Sequence, residues 1–345
     1  MRLMRLRPAA TRAFAIVAAS TGWLVSVAPV SAHGFAPTES PTLGNLLFGW
    51  IIEPPILLGI IVALIWWRWA VRRVNAAHPA NPVPRRRTAA FVAAMVAVAF
   101  ALMSGIDRYD TTLFSIHMVQ HILLVLVAAP LIALSAPVTL ILRVSSSETR
   151  HRWVLPVLHS RAFRFFAHPL VASVVFAVVL WSAHFTPLFD AALEDPRLHQ
   201  FEHALFLGSA LLFWWPAVGV DPSPYRMSHP VRILYLFMQM TMNTFMAMVI
   251  LNSGDVLYRH YATVIRAWGP TALEDQKLAA GFMWIAGDLI FIGAMLAVVA
   301  GWIESEARDA KRTDRKAAKE LAAIRVRERR LADRLADERG ESRPS

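Results

Sequence analysis

Two pairs of histidines carry the strongest chemical signal in this chain. His117 and His121 lie in Phe114-Ser-Ile-His-Met-Val-Gln-His121, and His199 and His203 in His199-Gln-Phe-Glu-His203. Residues four apart share one face of a helix, so each pair can direct two imidazoles at a single point. Such a pair is half of a four-ligand site, and His184 is a candidate for a further ligand. Neutral imidazole suits copper, zinc, iron and nickel. The chain has no cysteine, which excludes disulfides, thiolate zinc sites, iron–sulfur clusters and cysteine nucleophiles together. A soft metal would therefore depend on its 12 histidines and 13 methionines. The absence of an His-Glu-x-x-His run argues against a zinc protease of that type. The competing account of each pair is structural: a histidine that snorkels at a membrane surface, or one that hydrogen-bonds a neighbouring helix.

Other residues could do chemistry as well. Met238, Met242 and Met246 recur every four residues. Thioethers favour Cu(I), but methionine also fills irregular packing, which is the preferred reading of this stripe. Gln239 and Asn243 suit interhelical hydrogen bonds. Asp288 falls inside an apolar block, where a carboxylate must be protonated or paired, either on a proton or metal path or in a structural hydrogen bond. Glu53, before Pro54-Pro55, is a second acidic candidate or simply part of a helix entry. His33 would become the first residue after a signal cleavage, and its amine and imidazole could chelate one metal ion.

The elements that must position these groups are membrane spans. Of 345 residues 56% are hydrophobic and only 17% charged, against about a quarter charged in soluble domains. The apolar residues form long blocks, which predicts an all-α, polytopic bundle of seven transmembrane helices. Residues 1–32, with Arg2, Arg5, Arg7 and Arg12 before an apolar run ending Val30-Ser31-Ala32, read as a cleaved signal peptide. Spans are predicted at 46–69, 88–105, 112–135, 169–186, 202–219, 230–251 and 279–302, each near the length that crosses a core of about 30 Å. Pro130 and Pro137 predict a kinked or broken end to the third span. The membrane domain is thus 33–303, and 304–345 is a charged cytoplasmic tail, helical or disordered.

Loops after the first, third and fifth spans hold 13 arginines, Arg68 and Arg85–Arg87 among them, against Glu148 and Asp221. The intervening segments are richer in acids, including Asp107, Asp110, Asp190 and Glu274. Basic residues stay in the cytoplasm, which predicts a bacterial inner-membrane protein with a periplasmic mature N-terminus and a cytoplasmic C-terminus. That orientation puts both histidine pairs and His184 on the periplasmic side. His78, His151, His159, His168 and His229 fall among the cytoplasmic arginines and read as solvated or headgroup-contacting residues. The net charge of +11 is concentrated in those loops and the tail, so it points to anionic lipid and not to nucleic acid.

Several separated motifs carry a resemblance. His117-Met-Val-Gln-His121 is followed by Leu123-Leu124 and Ala129-Pro130-Leu131, then by Trp181-Ser-Ala-His184-Phe-Thr-Pro187-Leu-Phe-Asp190. His199-x-x-x-His203, Phe213-Trp-Trp-Pro216, Asp275-Gln276 and Gly281-Phe-Met283-Trp284 complete the series. In this order, over about 45–300, they resemble the multi-span CtaG family of cytochrome c oxidase assembly factors. The resemblance implies a seven-span bundle and a non-enzymatic role in assembling a haem–copper oxidase, with oxidase subunits as partners and a copper supply or insertion step as the task. His117, His121, His199 and His203 are the expected metal ligands, His184 an accessory, and Met118 and Met283 further Cu(I) donors. The alternatives are a copper transporter, a haem-binding electron carrier with axial imidazoles, and a structural assembly scaffold whose histidines only hydrogen-bond.

Overall fold

The computed structural model describes residues 37–339, so the signal-peptide reading and His33 lie outside the described residues. Those residues form helices joined by short loops, with no strand among them. Six helices are long and apolar enough to cross a membrane, or seven if one bent pair counts as a single span. In lipid a helix satisfies its own backbone polar groups, which is why an apolar chain of this kind folds so.

A short α1 (Leu43–Phe48) precedes α2 (Pro54–Ala77), α3 (Arg85–Met103) and α4 (Gly105–Tyr109). The first span thus starts later and ends later than the apolar block suggested. Pro54 and Pro55 occupy its first turn, where a missing N–H costs nothing, and the helix then runs on through Arg68, Arg72 and Arg73. Gly105 lets the start of α4 press against α1, because a Cβ there would meet the Asn45 carbonyl at 2.0 Å.

The third span is α5 (Phe114–Ile122), a π-helical turn (Leu123–Ala128), α6 (Ala129–Ser135) and α7 (Pro137–Val144). The break expected from the prolines is present, and its cause can be traced. The Ala129 N–H bonds the Leu124 carbonyl five residues back. Continuing that pattern, Pro130 should bond Val125, but it has no N–H to give. The indole Nε1 of Trp214 takes the orphaned Val125 carbonyl at 2.9 Å instead. The helix breaks at Ala136, whose φ of 58° lies in the left-handed region, and resumes at Pro137.

The fourth span is α8 (Pro169–Phe185), followed at a 70° bend by α9 (Leu188–Glu194). Pro187 forces the preceding Thr186 into extended backbone (φ −124°, ψ 165°), which ends α8 one residue after His184. α10 (Pro196–Val218) starts earlier than its hydropathy suggests, capped by the Asp195 side chain on the Arg197 N–H. Its first turns are polar and so escape a hydropathy window, yet they are helical and hold His199 and His203. α11 (His229–Leu251), α12 (Arg259–Thr263) and α13 (Ala272–Arg339) follow. The third span packs against the second and fifth, and the fourth against the fifth. These contacts put the third and fifth spans at the centre of the bundle.

The residues from Ala294 onward form a separate compact unit, helical throughout its described part. Its surface carries spaced ion pairs such as Arg308 with Glu304 and Lys316 with Glu320, the pattern of a solvated helix.

Candidate metal centre

His117 and His121 come from α5, His199 and His203 from α10, and all four are buried within the bundle. On α10 the buried stripe begins with His199, Glu202, His203 and Phe206 and runs on through Ser209, Ala210 and Phe213. The two pairs face each other. The His117 ring stacks on His199 at 5.1 Å and lies 6.3 Å from His203, while His121 and His203 meet edge-on at 5.6 Å. Within the first pair the two Nε2 atoms approach to 2.9 Å. His117, His121 and His203 each present one ligand atom within 4.8 Å of the others, as do His117, His199 and Glu202.

The hydrogen bonds around the cluster fix which nitrogens carry protons. The Tyr261 hydroxyl donates to the Asp110 carbonyl (2.6 Å), so at 3.2 Å it accepts from His117 Nδ1–H. His117 Nε2 is then the bare nitrogen, and His121 Nε2–H donates to it. Gln120 gives its amide hydrogens to the Ala101 carbonyl and Asp107, leaving its oxygen to accept from His203 Nε2–H at 3.1 Å. In the neutral His203 ring the lone pair is on Nδ1. His199 Nε2 lies 3.9 Å from the Asp110 carboxylate.

His184 stands apart from these four. It is buried, but its ring is 6.4 Å from His121, and its Nε2 faces Met118 Sδ at 3.5 Å. The structure therefore brings four of the five predicted ligands together and sets the fifth beside a methionine.

The supports are as specific as the cluster. Leu113, at the α5 N-terminus, has no capping side chain of its own. Asp275 of α13 supplies the cap from a distance, accepting from the Phe114 N–H at 2.6 Å and from the Ser115 hydroxyl. His117 lies three residues further on. Phe189 of α9 covers the rings, 5.1 Å from His117 and 5.8 Å from His184, and itself packs on Phe114 and Tyr258. Aromatic rings thus shut water from a site made of uncharged imidazoles.

A family description, cytochrome c oxidase caa3 assembly factor, matches residues 62–305. The chain belongs to that family. The uncharacterized protein Mb0105 of Mycobacterium bovis is 31% identical over 297 residues, which are 84% of this chain and 44% of that protein. The uncharacterized protein ML1998 of Mycobacterium leprae is 27% identical over 291 residues, 82% of this chain and 44% of the relative. This chain spans less than half the length of the curated relatives it matches. No solved structure matches it significantly.

Sequence reasoning passed over four residues around the site. Gln120 and Glu202 stand inside the quoted histidine motifs, Gln120 one residue before His121 and Glu202 on the helical stripe of its pair. Asp110 and Tyr261 gave no local signal, because the topology alone brings them to His199 and His117. Neither carboxylate oxygen of Glu202 has a hydrogen-bond partner, although the residue is only 2% exposed. Burial, then the neighbouring Asp107, push the Asp110 carboxyl well above its ordinary range. Burial and the nearby Asp110 likewise push the Tyr261 phenol up.

The remaining polar groups, His260 on the α12 side among them, sort into structural roles. His260 donates its backbone N–H to Asp190 and contacts the Thr111 carbonyl through Nε2. Asp288 accepts from the Thr244 hydroxyl at 2.7 Å, the structural alternative for that carboxylate. Asn243 makes the expected interhelical bond, to the Met283 carbonyl. The methionine stripe does not hold together as packing: Met246 is buried, but Met238 and Met242 are each 46% exposed on the outer face of α11. Glu53 forms no side-chain cap, and its burial raises its carboxyl pKa.

Proposed function

We propose that this chain is an inner-membrane factor in the assembly of a haem–copper cytochrome c oxidase, and that it holds copper and hands it on through His117, His121, His199 and His203. Membership of the caa3 assembly-factor family supports the assembly role. The observation that carries the copper reading is the meeting of two imidazole pairs from two helices, buried together, with two Nε2 atoms 2.9 Å apart. A nitrogen pair that shares one proton at this distance is arranged for a metal to take the proton's place. Copper here is cargo, and the role is binding and transfer, not catalysis.

The arginine-rich loops support an orientation with the histidine end of the bundle toward the periplasm. Oxidase subunits are then the partners, met in the bilayer and at its outer face, while the basic tail meets anionic lipid. Across the two spans the His117 and His199 rings stack at 5.1 Å, which leaves no slot for a porphyrin between them and weighs against a haem carrier. Among the described residues the imidazole cluster sits at one end of the spans, which weighs against a transport path.

The test is bound metal. The protein is purified in detergent after copper supplementation and compared with a His117→Ala/His121→Ala variant. About one copper per chain, lost in the variant, is expected. No copper in either protein would refute the copper reading and leave a scaffold.

A further inference from the structure

We infer that the bundle has a second, softer metal position on the inner side of the histidine cluster, formed by His184 Nε2, Met118 Sδ and His121 Nδ1 and suited to Cu(I). The inference rests on the copper reading above and deepens it, by giving the cargo a place to go.

His184 Nδ1 lies 2.7 Å from the Leu180 carbonyl, which can only accept, so Nδ1 carries the hydrogen and Nε2 is bare. That bare nitrogen faces Met118 Sδ at 3.5 Å, and a thioether has no hydrogen either. Two lone pairs therefore point at one another in a buried site, with nothing between them to donate. His121 adds a third. Its Nε2–H is given to His117, which leaves Nδ1 unprotonated, and Nδ1 is buried without a hydrogen-bond partner.

All three residues line one small cavity, which continues along the third span to Leu126 and includes Met283. The amides of Gln239 and Asn243 line the same space, but Asn243 donates to the Met283 carbonyl and Gln239 Nε2 donates to none of the three acceptors, which together form a ligand set for a cation. The His184–Met118 separation fits a metal, and the His121 ring, 6.4 Å from His184, closes in on it when the ion binds. With about 2.0 Å to nitrogen and about 2.3 Å to sulfur, an N···S separation of 3.5 Å closes at about the tetrahedral angle. A thioether with neutral imidazoles selects Cu(I) over harder divalent ions.

His121 connects the two positions. A neutral imidazole offers one lone pair at a time, so His121 binds the deeper metal through Nδ1 while its Nε2–H points at His117. Binding an upper metal through Nε2 requires the opposite tautomer. Movement between the positions is ligand exchange with a tautomer shift, and no electron is transferred.

The experiment loads the detergent-purified protein anaerobically with one equivalent of Cu(I) and records copper X-ray absorption. One sulfur at about 2.3 Å beside nitrogen ligands is expected in the wild type. Met118→Leu conserves volume, so its melting temperature should hold, while the sulfur signal disappears and Cu(I) affinity falls at least about tenfold against a competing chelator. His184→Gln should lose the same sulfur signal. A His117→Gln/His199→Gln variant should retain it, and retention there with no other copper site would separate the deep position from the cluster. Nitrogen-only scattering in the wild type overturns the inference and leaves the cluster reading standing. A sulfur signal unchanged by Met118→Leu also overturns it, by assigning the sulfur to another methionine. Failure of the wild type to bind copper overturns both.

Discussion

Trp214 and Pro130 form a coupled pair, and breaking the pair has a calculable cost. The π-helical turn leaves the Val125 carbonyl without the N–H that Pro130 lacks, and the Trp214 indole supplies one at 2.9 Å. Trp214 is 2% exposed and Val125 5%, so no water can substitute. Trp214→Phe keeps a ring to stack on Phe291 but orphans the carbonyl. An unsatisfied buried acceptor costs about 1–3 kcal/mol, and the smaller ring adds about 1 kcal/mol of lost packing. The expected loss is about 2–4 kcal/mol. At roughly 2 °C per kcal/mol for a chain of this size, the melting temperature in detergent should fall by about 4–8 °C.

Pro130→Ala supplies the check, because it restores an N–H that can reach the Val125 carbonyl. In the double variant the penalty of Trp214→Phe should shrink by about half, a coupling of about 1–2 kcal/mol in a double-mutant cycle. Thermal unfolding followed by circular dichroism on all four proteins measures it. Strict additivity would refute the assignment of Trp214 as the surrogate donor, whatever the size of the single effects.

Other outcomes follow from the same geometry. Gln120→Leu should weaken copper binding about 10–100-fold by chelator competition while leaving the fold intact, because Gln120 orients His203 and does not itself ligate. Glu202→Gln should lower affinity for Cu(II) more than for Cu(I), since it removes a hard oxygen donor beside His117 and His199. Asp275→Ala should lower stability by about 1–3 kcal/mol in thermal melts, because the α5 N-terminus then has no cap. Gly287→Ala places a Cβ against Asn243 Nδ2, so the amide must turn away from the Met283 carbonyl at a cost of about 1–3 kcal/mol, read by the same melts. Burial raises the Glu53 carboxyl, so its charged form opposes folding above the ordinary carboxylate range. Glu53→Gln should therefore raise the melting temperature at pH 7 but not at pH 4, where the carboxyl is already neutral.

The histidine pairs were legible because helical spacing is a local property, and so was the broken third span, because proline acts on its own turn. The start of α10 was not legible from hydropathy. Arg197, His199 and Glu202 dilute the apolar average, although Asp195-Pro196 is a clear helix entry. Long-range partners were beyond reach for a different reason. Asp275 is 160 positions from Ser115 and Tyr261 is 144 from His117, and nothing in either neighbourhood announces the other. The methionine stripe was misread because a period of four marks one face without saying whether that face meets protein or lipid.

The acids that sequence reasoning passed over bear on whether a metal ion can rest in this bundle at all. An unpaired charge in an apolar interior is expensive, whether it sits on a carboxylate or on copper. Glu202, without a hydrogen-bond partner, lies within ligand distance of His117 and His199, and Asp110 lies 3.9 Å from His199. Without metal, burial pushes the Asp110 carboxyl well above its ordinary range. On the copper reading, an ionised carboxylate beside the ion would make the pair close to neutral, and the same burial that opposes each charge separately would strengthen their attraction. On that reading metal entry would be coupled to proton release from an acid and not only from an imidazole. Replacing Glu202 by Gln should therefore reduce the protons released per copper bound, a quantity that calorimetry in buffers of different ionisation enthalpy reads directly. If proton release is the same in the wild type and the variant, Glu202 does not compensate the metal charge, and neutral imidazoles must carry the site alone.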